Sequence, residues 1–186
     1  MARIVLNNIP FDDAFLADSD ANVALGRFMA VWGQIEVVCG FIFRSLTNTN
    51  VELMMAFMDN VGVKEQIAIV QNLAEAVKDE DAKRLLMDAM SRVQDMSTKR
   101  NKIVHASWGT LNDVSARYYT GLTSSRLDEL MRETQRGKTY PGTWVFTVEH
   151  LKQLIEDGIA LRKELEALID KVRAPDHRDE FHSRMR

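Results

Sequence analysis

The chain has little of the material from which cross-links and membrane spans are made. A single cysteine, Cys39, occurs among 186 residues, which excludes an intrachain disulfide. The densest apolar run, at 37–43, is flanked by Glu36 and Arg44 and is far shorter than the roughly 20 residues that a membrane span requires. The first eight residues contain no apolar core of a signal peptide. We therefore predict a cytoplasmic location and no segment that crosses a membrane.

Positive charge and the common site motifs are also missing. The 24 basic and 27 acidic residues give a net charge of −3, so a polyanion would have to bind at a local site rather than over a basic surface. The chain contains no Gly-rich phosphate loop, no Cys-x-x-Cys pair, no His-Glu-x-x-His and no Gly-x-Ser-x-Gly motif. Nucleotide-binding, zinc and common hydrolase functions therefore lose their support, and we expect no metal and no cofactor.

What the chain does contain is apolar residues at helical spacing. It is 46% hydrophobic and 27% charged, which is typical of one soluble globular domain, or at most two small ones. Apolar residues recur every three or four positions in several segments, which predicts an all-α bundle of four to five helices. The predicted helices run from Ser19 or Asp20 to about Leu46, over 51–58, from about Lys64 to Val77, from about Asp81 to Trp108, and from a cap at Thr147 to about Arg173.

These helices form one predicted domain with flanking segments. The domain covers residues 20–173, and an insertion at about 109–147, before the last helix, is predicted to be a small β-hairpin or irregular. Residues 1–19 are predicted to be an irregular N-terminal arm. Residues 174–186 follow the last helix as a polar tail, because Pro175 cannot continue that helix.

Within the insertion, two segments favour strands and one stays ambiguous. Residues 114–122 and 143–147 are rich in aromatic and β-branched residues, and the Pro-Gly pair at 141–142 is a turn signal. Their pairing would give the hairpin. The segment at 125–136 fits either a short helix or a mobile excursion.

Basic residues are concentrated near the end of the fourth predicted helix. From position 92 to position 105 the net charge is +3 in a protein that is acidic overall. This window is a candidate anion site, although a solvated basic face is the commoner explanation of such a run. The charged residues of the window are Arg92, Asp95, Lys99, Arg100 and Lys102.

Helical geometry relates the polar residues of this window to one another. Asn101 and His105 lie about 40° apart around a helix, whereas Arg100 lies about 140° from His105, on the apolar side. The long Arg100 side chain must therefore reach around the helix to join them. From its apolar side it is also the natural ion-pair partner of Glu36 on the first helix, unless Glu36 lies at the edge of that helix's apolar face in water.

The pattern Arg100-Asn101-x-x-x-His105 resembles the motif of the HEPN superfamily, small all-helical domains in which Arg, four to six residues and His end a long helix. The position of the motif, and a further long helix after an insertion, are similar to the family's layout over about residues 20–173. The resemblance implies a metal-independent endoribonuclease with a toxin or defence-like role. It also implies a homodimer in which both motifs face one groove, and an antitoxin or other regulatory protein as a further partner.

The same resemblance implies a role for each residue of the motif. A ribose 2′-hydroxyl of RNA would attack the adjacent phosphate, while His105 transfers a proton or orients the reacting group. Arg100 would neutralise the phosphate oxygens, and Asn101 would fix His105 or the phosphate. Lys99 and Lys102 would bind flanking phosphates.

A non-catalytic explanation accounts for the same residues. The chain would then be a HEPN-like helical dimer that serves as an RNA-binding or protein-interaction module. In this explanation Arg100 pairs with Glu36 to lock two helices together, and Asn101 is solvated. His105 would pack with Trp108 under the hairpin.

Overall fold

The computed structural model describes residues 19–105, 107–111, 114–118 and 145–173, and in the segments 107–111, 114–118 and 145–146 it describes the backbone alone. Three predicted segments fall wholly or almost wholly outside this description. They are the arm at 1–19, the ambiguous segment at 125–136 and the tail at 174–186.

Five α-helices make up most of the described residues, which confirms the predicted all-α fold class. The helices are α1 (Ser19–Thr47), α2 (Val51–Asn60), α3 (Val63–Ala74), α4 (Glu80–Val104) and α5 (Val148–Leu168). The described residues between α4 and α5 include three short strands, β1 (Ser107–Leu111), β2 (Val114–Tyr118) and β3 (Val145–Thr147).

The chain divides into two compact units. The first contains the described residues of Met1–Ala30 and Thr98–Glu156, and the second contains Val31–Ser97 and the described residues of Asp157–Arg186. Buried apolar side chains of the first unit are Ala21, Ala24, Phe28, Ile103, Val148, Leu151, Leu154 and Ile155. The largest fully buried side chains of the second unit are Trp32, Ile35, Ile42, Leu86, Met90, Leu165 and Val70.

Side-chain caps explain where two of the helices begin. Asn50 precedes α2, and its Oδ1 accepts a hydrogen bond of 2.9 Å from the backbone N–H of Leu53. Asp79 precedes α4, and its Oδ1 accepts from the N–H groups of Asp81 and Ala82, both at 3.0 Å. Each cap satisfies N–H groups that have no partner inside their own helix.

Helix α2 packs closely on α1 within the second unit. A Cβ atom added at Gly40 would lie 2.8 Å from Sδ of Met58, so glycine at this position permits the close approach. One turn later, the rings of Phe43 and Phe57 stack with their centroids 3.9 Å apart. The Met-rich sequence of α2 therefore supplies flexible packing atoms on its α1 side.

Helix α5 uses a glycine in the same way in its second-unit part. A Cβ atom added at Gly158 would lie 2.7 Å from Cγ1 of Val31 on α1 and 3.4 Å from Sδ of Met96 on α4. Three helices thus meet at a position where no side chain fits. Val31 is β-branched and has little rotamer freedom in a helix, so this contact is stiff.

The structure ends three of the predicted helices earlier than the sequence predicts. α3 ends at Ala74 and not at Val77, because the N–H groups of Ala76 and Val77 bond to carbonyl oxygens three residues before them, in turns. α4 ends at Val104 and not at Trp108, because Ser107 already starts strand β1, which pairs with β2. The hydrogen bonds of the sheet therefore replace further helical ones. α5 ends at Leu168 and is followed by turns up to Val172, so it stops before the predicted end at Arg173.

The predicted hairpin pairing is present, and one unpredicted strand joins it. β2 and β3 pair antiparallel, with Ala116 opposite Thr147. β1 also pairs antiparallel with β2, and Leu111 stands opposite Val114. In the sequence these two partners are separated by the Asn-Asp dipeptide 112–113, and Asn and Asp are residues that favour tight turns. This dipeptide was the available signal for β1.

Helix α1 has an unusual property among the described helices, because by length and composition alone it could cross a membrane. The prediction against a membrane span considered the run 37–43 and not the whole helix of 29 residues. Within the most apolar window of α1, 39% of the residues are buried inside the protein. The core helix of a soluble protein passes the same test, so this property is weak evidence for a span.

Candidate anion site at the end of helix α4

The motif residues lie at the C-terminal end of α4. The backbone N–H of His105 donates to the carbonyl oxygen of Asn101 at 3.1 Å, so helical hydrogen bonding continues just beyond Val104. Lys102 stands in the last turn, where the helix dipole favours a cation. The site is therefore built on the end of a regular helix, next to the start of β1.

Arg100 reaches around the helix in the way that its position requires. Its Nη1 donates to Oδ1 of Asn101 at 3.0 Å. The Arg100 side chain is half-buried, and Ile103, on the same side of α4, is fully buried. The Nε atom of Arg100 is buried and has no hydrogen-bond partner in the described part of the chain. The aliphatic part of the Arg100 side chain thus lies on the apolar side of α4, and its guanidinium group lies beside Asn101.

His105 is exposed at the end of this helix. Its imidazole ring makes no hydrogen bond or ion pair with the residues that the structure describes. An exposed imidazole does not fit the explanation in which His105 packs under the hairpin. The exposed ring is accessible to a bound ligand, and imidazole is a group that can transfer protons in catalysis.

The two lysines of the site already interact with other groups of the protein. Lys99 and Lys102 are half-buried, and both take part in interactions within the protein. Their predicted role, the binding of phosphates on either side of a cleaved bond, stays a prediction. Any such role requires their present interactions to be shared or exchanged.

Arg92 was counted in the basic window, but the structure places it in an ion pair. Its guanidinium pairs with the Glu164 carboxylate on α5 and, through Nε at 3.3 Å, with Asp88 on α4. The hydrogen bond to Arg92 lowers the pKa of Glu164, and the same bond raises the pKa of Arg92. Arg92 therefore links α4 to α5 within the second unit and does not belong to the anion site.

Replacing Glu164 with glutamine is expected to remove a small stabilisation that depends on pH. Because Arg92 lowers the pKa of Glu164 in the folded protein, the stabilisation is complete above the ordinary carboxyl value of 4.5 and disappears as the pH falls through the lower folded value. The Arg92 and Glu164 side chains are 45% and 50% exposed, so we expect less than about 1 kcal/mol.

Urea denaturation of both proteins, at neutral pH and at a pH below the folded value, measures this effect. The difference in unfolding free energy between wild type and Glu164→Gln should shrink towards zero in acid. A difference that is equal at the two pH values would show that the carboxylate charge is not its source.

Glu36, the predicted support of Arg100, is half-buried on α1. Burial and, to a smaller extent, the negative charge of Glu36 together raise the pKa of the nearby Cys39 thiol to about 12. Cys39 is therefore a neutral thiol and a poor nucleophile. The predicted ion pair between Glu36 and Arg100 stays a prediction.

Sequence analysis missed a histidine with a structural role. At the start of α5, the N–H of His150 donates to Oγ1 of Thr147, and the N–H of Thr147 donates to Nδ1 of His150, both at 3.3 Å. This reciprocal arrangement is a capping box in which histidine replaces the usual Glu or Gln. The predicted cap at Thr147 is confirmed, and the Thr-x-x-His spacing was the signal for its partner.

Comparisons with known proteins add no assignment to this site. No protein-family model, curated protein or solved structure matches the chain. Among the described residues, no group of three or more His, Cys, Asp or Glu side chains is placed to hold a metal ion. The chemistry of the site must therefore be argued from the motif and its geometry.

Proposed function

We propose that the chain is a metal-independent endoribonuclease of the HEPN type, with a toxin or defence-like role. The observation that carries this proposal is the 3.0 Å hydrogen bond from Arg100 Nη1 to Asn101 Oδ1, beside an exposed His105. It keeps a permanent cation at the same helix end as a group that transfers protons. Cleavage of a phosphodiester needs both, because negative charge accumulates on the phosphate while protons move.

The proposed reaction moves two protons. The ribose 2′-oxygen forms a bond to phosphorus, the bond from phosphorus to the 5′-oxygen breaks, and the products carry a 2′,3′-cyclic phosphate and a 5′-hydroxyl. His105 transfers one proton, either from the 2′-hydroxyl or to the 5′-oxygen, and the His105 of a second copy or water transfers the other. Arg100 stabilises the charge on the non-bridging oxygens.

Two further features of the site support the binding of an anion. The Nε donor of Arg100 is buried without a partner in the described residues, and leaving such a donor unpaired costs about 1–3 kcal/mol. A phosphate oxygen is an acceptor of the right charge, and it reaches this buried atom only when the guanidinium turns towards solvent. Asn101 uses its oxygen to accept from Arg100, so its Nδ2 group is the part that donates to a phosphate or to His105.

The direct test uses the full chain and end-labelled single-stranded RNA in the presence of EDTA. We expect fragments that end in a 2′,3′-cyclic phosphate. DNA of the same sequence is the matched control, and it should stay intact because it lacks the attacking hydroxyl. Cleavage that requires an added divalent metal, or that proceeds on DNA, would contradict the proposed reaction.

A second function is favoured by a different observation, the exposed apolar side chains on α1 and α2. Val37, Phe41 and Leu53 are among the large apolar residues that remain exposed. Exposed apolar side chains are candidates for an interaction site where they form a contiguous surface. A non-catalytic helical dimer that binds RNA or a protein is therefore the alternative, and RNA that is retained on a filter by the wild type but never cleaved would favour it.

A further inference from the structure

Helices α1 and α2 leave apolar side chains exposed next to the place where they pack together. On α1, Val37 is 50% exposed and Phe41 is 37% exposed. On α2, Val51 is 44% exposed and Met55 is 48% exposed. All four belong to the second compact unit. Exposed apolar side chains mark an interaction site when they form one surface, so their arrangement decides whether a partner fits here.

The exposed side chains of α1 lie on the outer side of its contact with α2. The contact is closest at Gly40, where an added Cβ atom would lie 2.8 Å from Sδ of Met58. Phe43, which stacks on a ring of α2, lies about 60° from Gly40 around α1, towards the fully buried residues of that helix. Val37 and Phe41 lie about 60° and 100° from Gly40 in the other direction.

The exposed side chains of α2 lie on the same outer side of the contact. Phe57, the ring that stacks on α1, lies about 100° from Met58 around α2. Val51 and Met55 lie about 20° and 60° from Met58 in the other direction. The two rows therefore flank a groove whose floor is the closest point of the contact. We call it the outer groove, and it is lined by Val37, Gly40, Phe41, Val51, Met55 and Met58.

The outer groove has the size and the composition that an α-helix requires. Helix α2 has 10 residues and is about 15 Å long, so the groove accepts about three helical turns. Met55 and Met58 have flexible side chains that adapt to the shape of a partner. Grooves of this kind bind the apolar face of an amphipathic helix through residues three and four positions apart.

The charge beside the outer groove is acidic and lies along α2. Glu52 and Asp59 are exposed, and both lie next to the groove on the side of α2 that faces away from α1. The sequence contains no Lys, Arg or His at 45–63. Arg44 lies on the outer side of α1, but its Nε donates to the carbonyl oxygen of Thr49 at 3.3 Å. This cation is thus held by the turn that precedes α2.

Shape and charge together distinguish between the possible occupants. A second copy seated groove to groove offers no convex surface to fill the floor, and it carries the same acidic edge. The surface of a membrane that contains anionic lipids would be repelled by that edge. A helix that carries lysine or arginine along one edge would instead pair with Glu52 and Asp59, which lie about two turns apart on α2.

We propose that the outer groove binds an amphipathic helix of another protein. The apolar face of this helix packs against Val37, Phe41 and Met55, and its lysine or arginine residues lie along the edge that faces Glu52 and Asp59. Apolar contact supplies most of the affinity, and the charges select the sign of the partner. The proposal does not rest on the ribonuclease proposal, because its tests measure binding and not cleavage.

The first test compares two peptides on the full chain. The probe is a fluorescein-labelled helix of about 14 leucine and lysine residues, with leucine on one face, and the matched control peptide has glutamate in place of lysine. Fluorescence anisotropy should show the lysine peptide bound at least about tenfold more tightly than the glutamate peptide. No binding of the lysine peptide, or equal binding of the two, would overturn the proposal without the use of any variant.

Reversal of charge on the protein should exchange the two peptides. The double variant Glu52→Lys/Asp59→Lys should prefer the glutamate peptide, because its edge is then basic. The matched control is Glu80→Lys/Asp170→Lys, which makes the same change in net charge at exposed acids outside α1 and α2. It should still prefer the lysine peptide. If the preference reverses in both double variants, net charge and not the groove selects the peptide, and the proposal is wrong.

The apolar part of the site is tested by truncation. Met55→Ala should weaken binding of the lysine peptide about tenfold, because most of a side chain that the peptide buries is removed. Leu85→Ala shortens another apolar side chain, 41% exposed on α4, and should bind the peptide as the wild type does. Equal losses in the two variants would contradict a site on α1 and α2.

Two other occupants of the outer groove have distinct outcomes. If the wild type sediments as a dimer at tens of micromolar and this dimer no longer binds the lysine peptide, a second copy fills the groove. If the wild type floats with phosphatidylcholine vesicles and Met55→Ala does not, a membrane covers it. Either result would replace the proposed helix with a different occupant and so refute the proposal.

Discussion

Replacing His105 with alanine is expected to lower the rate of RNA cleavage by about 10²- to 10⁴-fold, the usual contribution of a general acid or base. The thermal midpoint should stay within about 2 °C of the wild type, because substitutions of exposed side chains change stability by about 0.5 kcal/mol or less. Cleavage assays and thermal melts on the same preparation measure both effects. The combination is informative because a loss of activity without a loss of stability identifies a group that takes part in the reaction.

The chain supplies a matched control for this change in its other described histidine. His150 is half-buried and holds the start of α5 through its hydrogen bonds with Thr147. His150→Ala should lower the unfolding free energy by about 1 kcal/mol, since it removes a cap interaction, and should leave cleavage nearly unchanged. If His105→Ala retains full activity, the reaction takes place elsewhere. If it costs several kcal/mol of stability instead, His105 is a packing residue.

Two substitutions of Arg100 in the same assay distinguish the contribution of its positive charge from that of its planar shape. Arg100→Lys keeps the positive charge, but an ammonium group cannot reproduce the planar guanidinium that donates to Asn101 while facing a phosphate. We expect Arg100→Ala to lose cleavage and Arg100→Lys to recover only part of it. Equal activity of Arg100→Lys and the wild type would show that charge alone is needed.

Gly158→Ala is expected to produce the largest loss of stability among the changes considered. The added Cβ would lie 2.7 Å from Cγ1 of Val31, and overpacking of this kind costs about 1–3 kcal/mol. Alanine recovers part of this cost, because it favours a helix over glycine by up to about 1 kcal/mol. We therefore expect a net loss of about 1–2 kcal/mol, or a thermal midpoint lower by several degrees.

Gly40→Ala is the matched comparison, because it also places a Cβ too close to a neighbour. The nearest atom there is Sδ of Met58 at 2.8 Å, near the end of a flexible side chain that can move aside. The gain in helix propensity should then offset most of the strain. Urea denaturation of the two variants compares a stiff contact with a soft one, and equal losses would contradict this distinction.

The helices were predictable from the sequence because their apolar spacing is strong and their caps are local. The start of α1 near Ser19, the start of α2 at Val51 and the cap of α5 at Thr147 all follow from residues within one turn. The end of α4 was not predictable in this way. It depends on β1 pairing with β2, and the choice between a further helical turn and a strand is made by that pairing partner.

The same division applies to the candidate site. The contact of Arg100 with Asn101 joins neighbours in the sequence, and helical geometry anticipated it. The ion pair of Arg92 with Glu164 joins residues 72 positions apart, and spacing on one helix cannot reveal it. Arg92 was counted with the basic window because its charge is visible in the sequence. Its distant partner is not visible there, so the sequence alone could not exclude Arg92 from the anion site.

Strand β3 runs into α5 without a connecting residue, and Thr147 is both the last residue of the strand and the cap of the helix. A shift of β3 by one position along β2 would turn alternate side chains to opposite faces of the sheet. The hydroxyl that accepts from His150 would then point away from the helix start. The helix cap therefore depends on the alignment of the strands, and a misaligned sheet and a frayed helix are expected to occur together. Slow hydrogen exchange at the His150 amide would report the alignment of β3 without any label in the sheet.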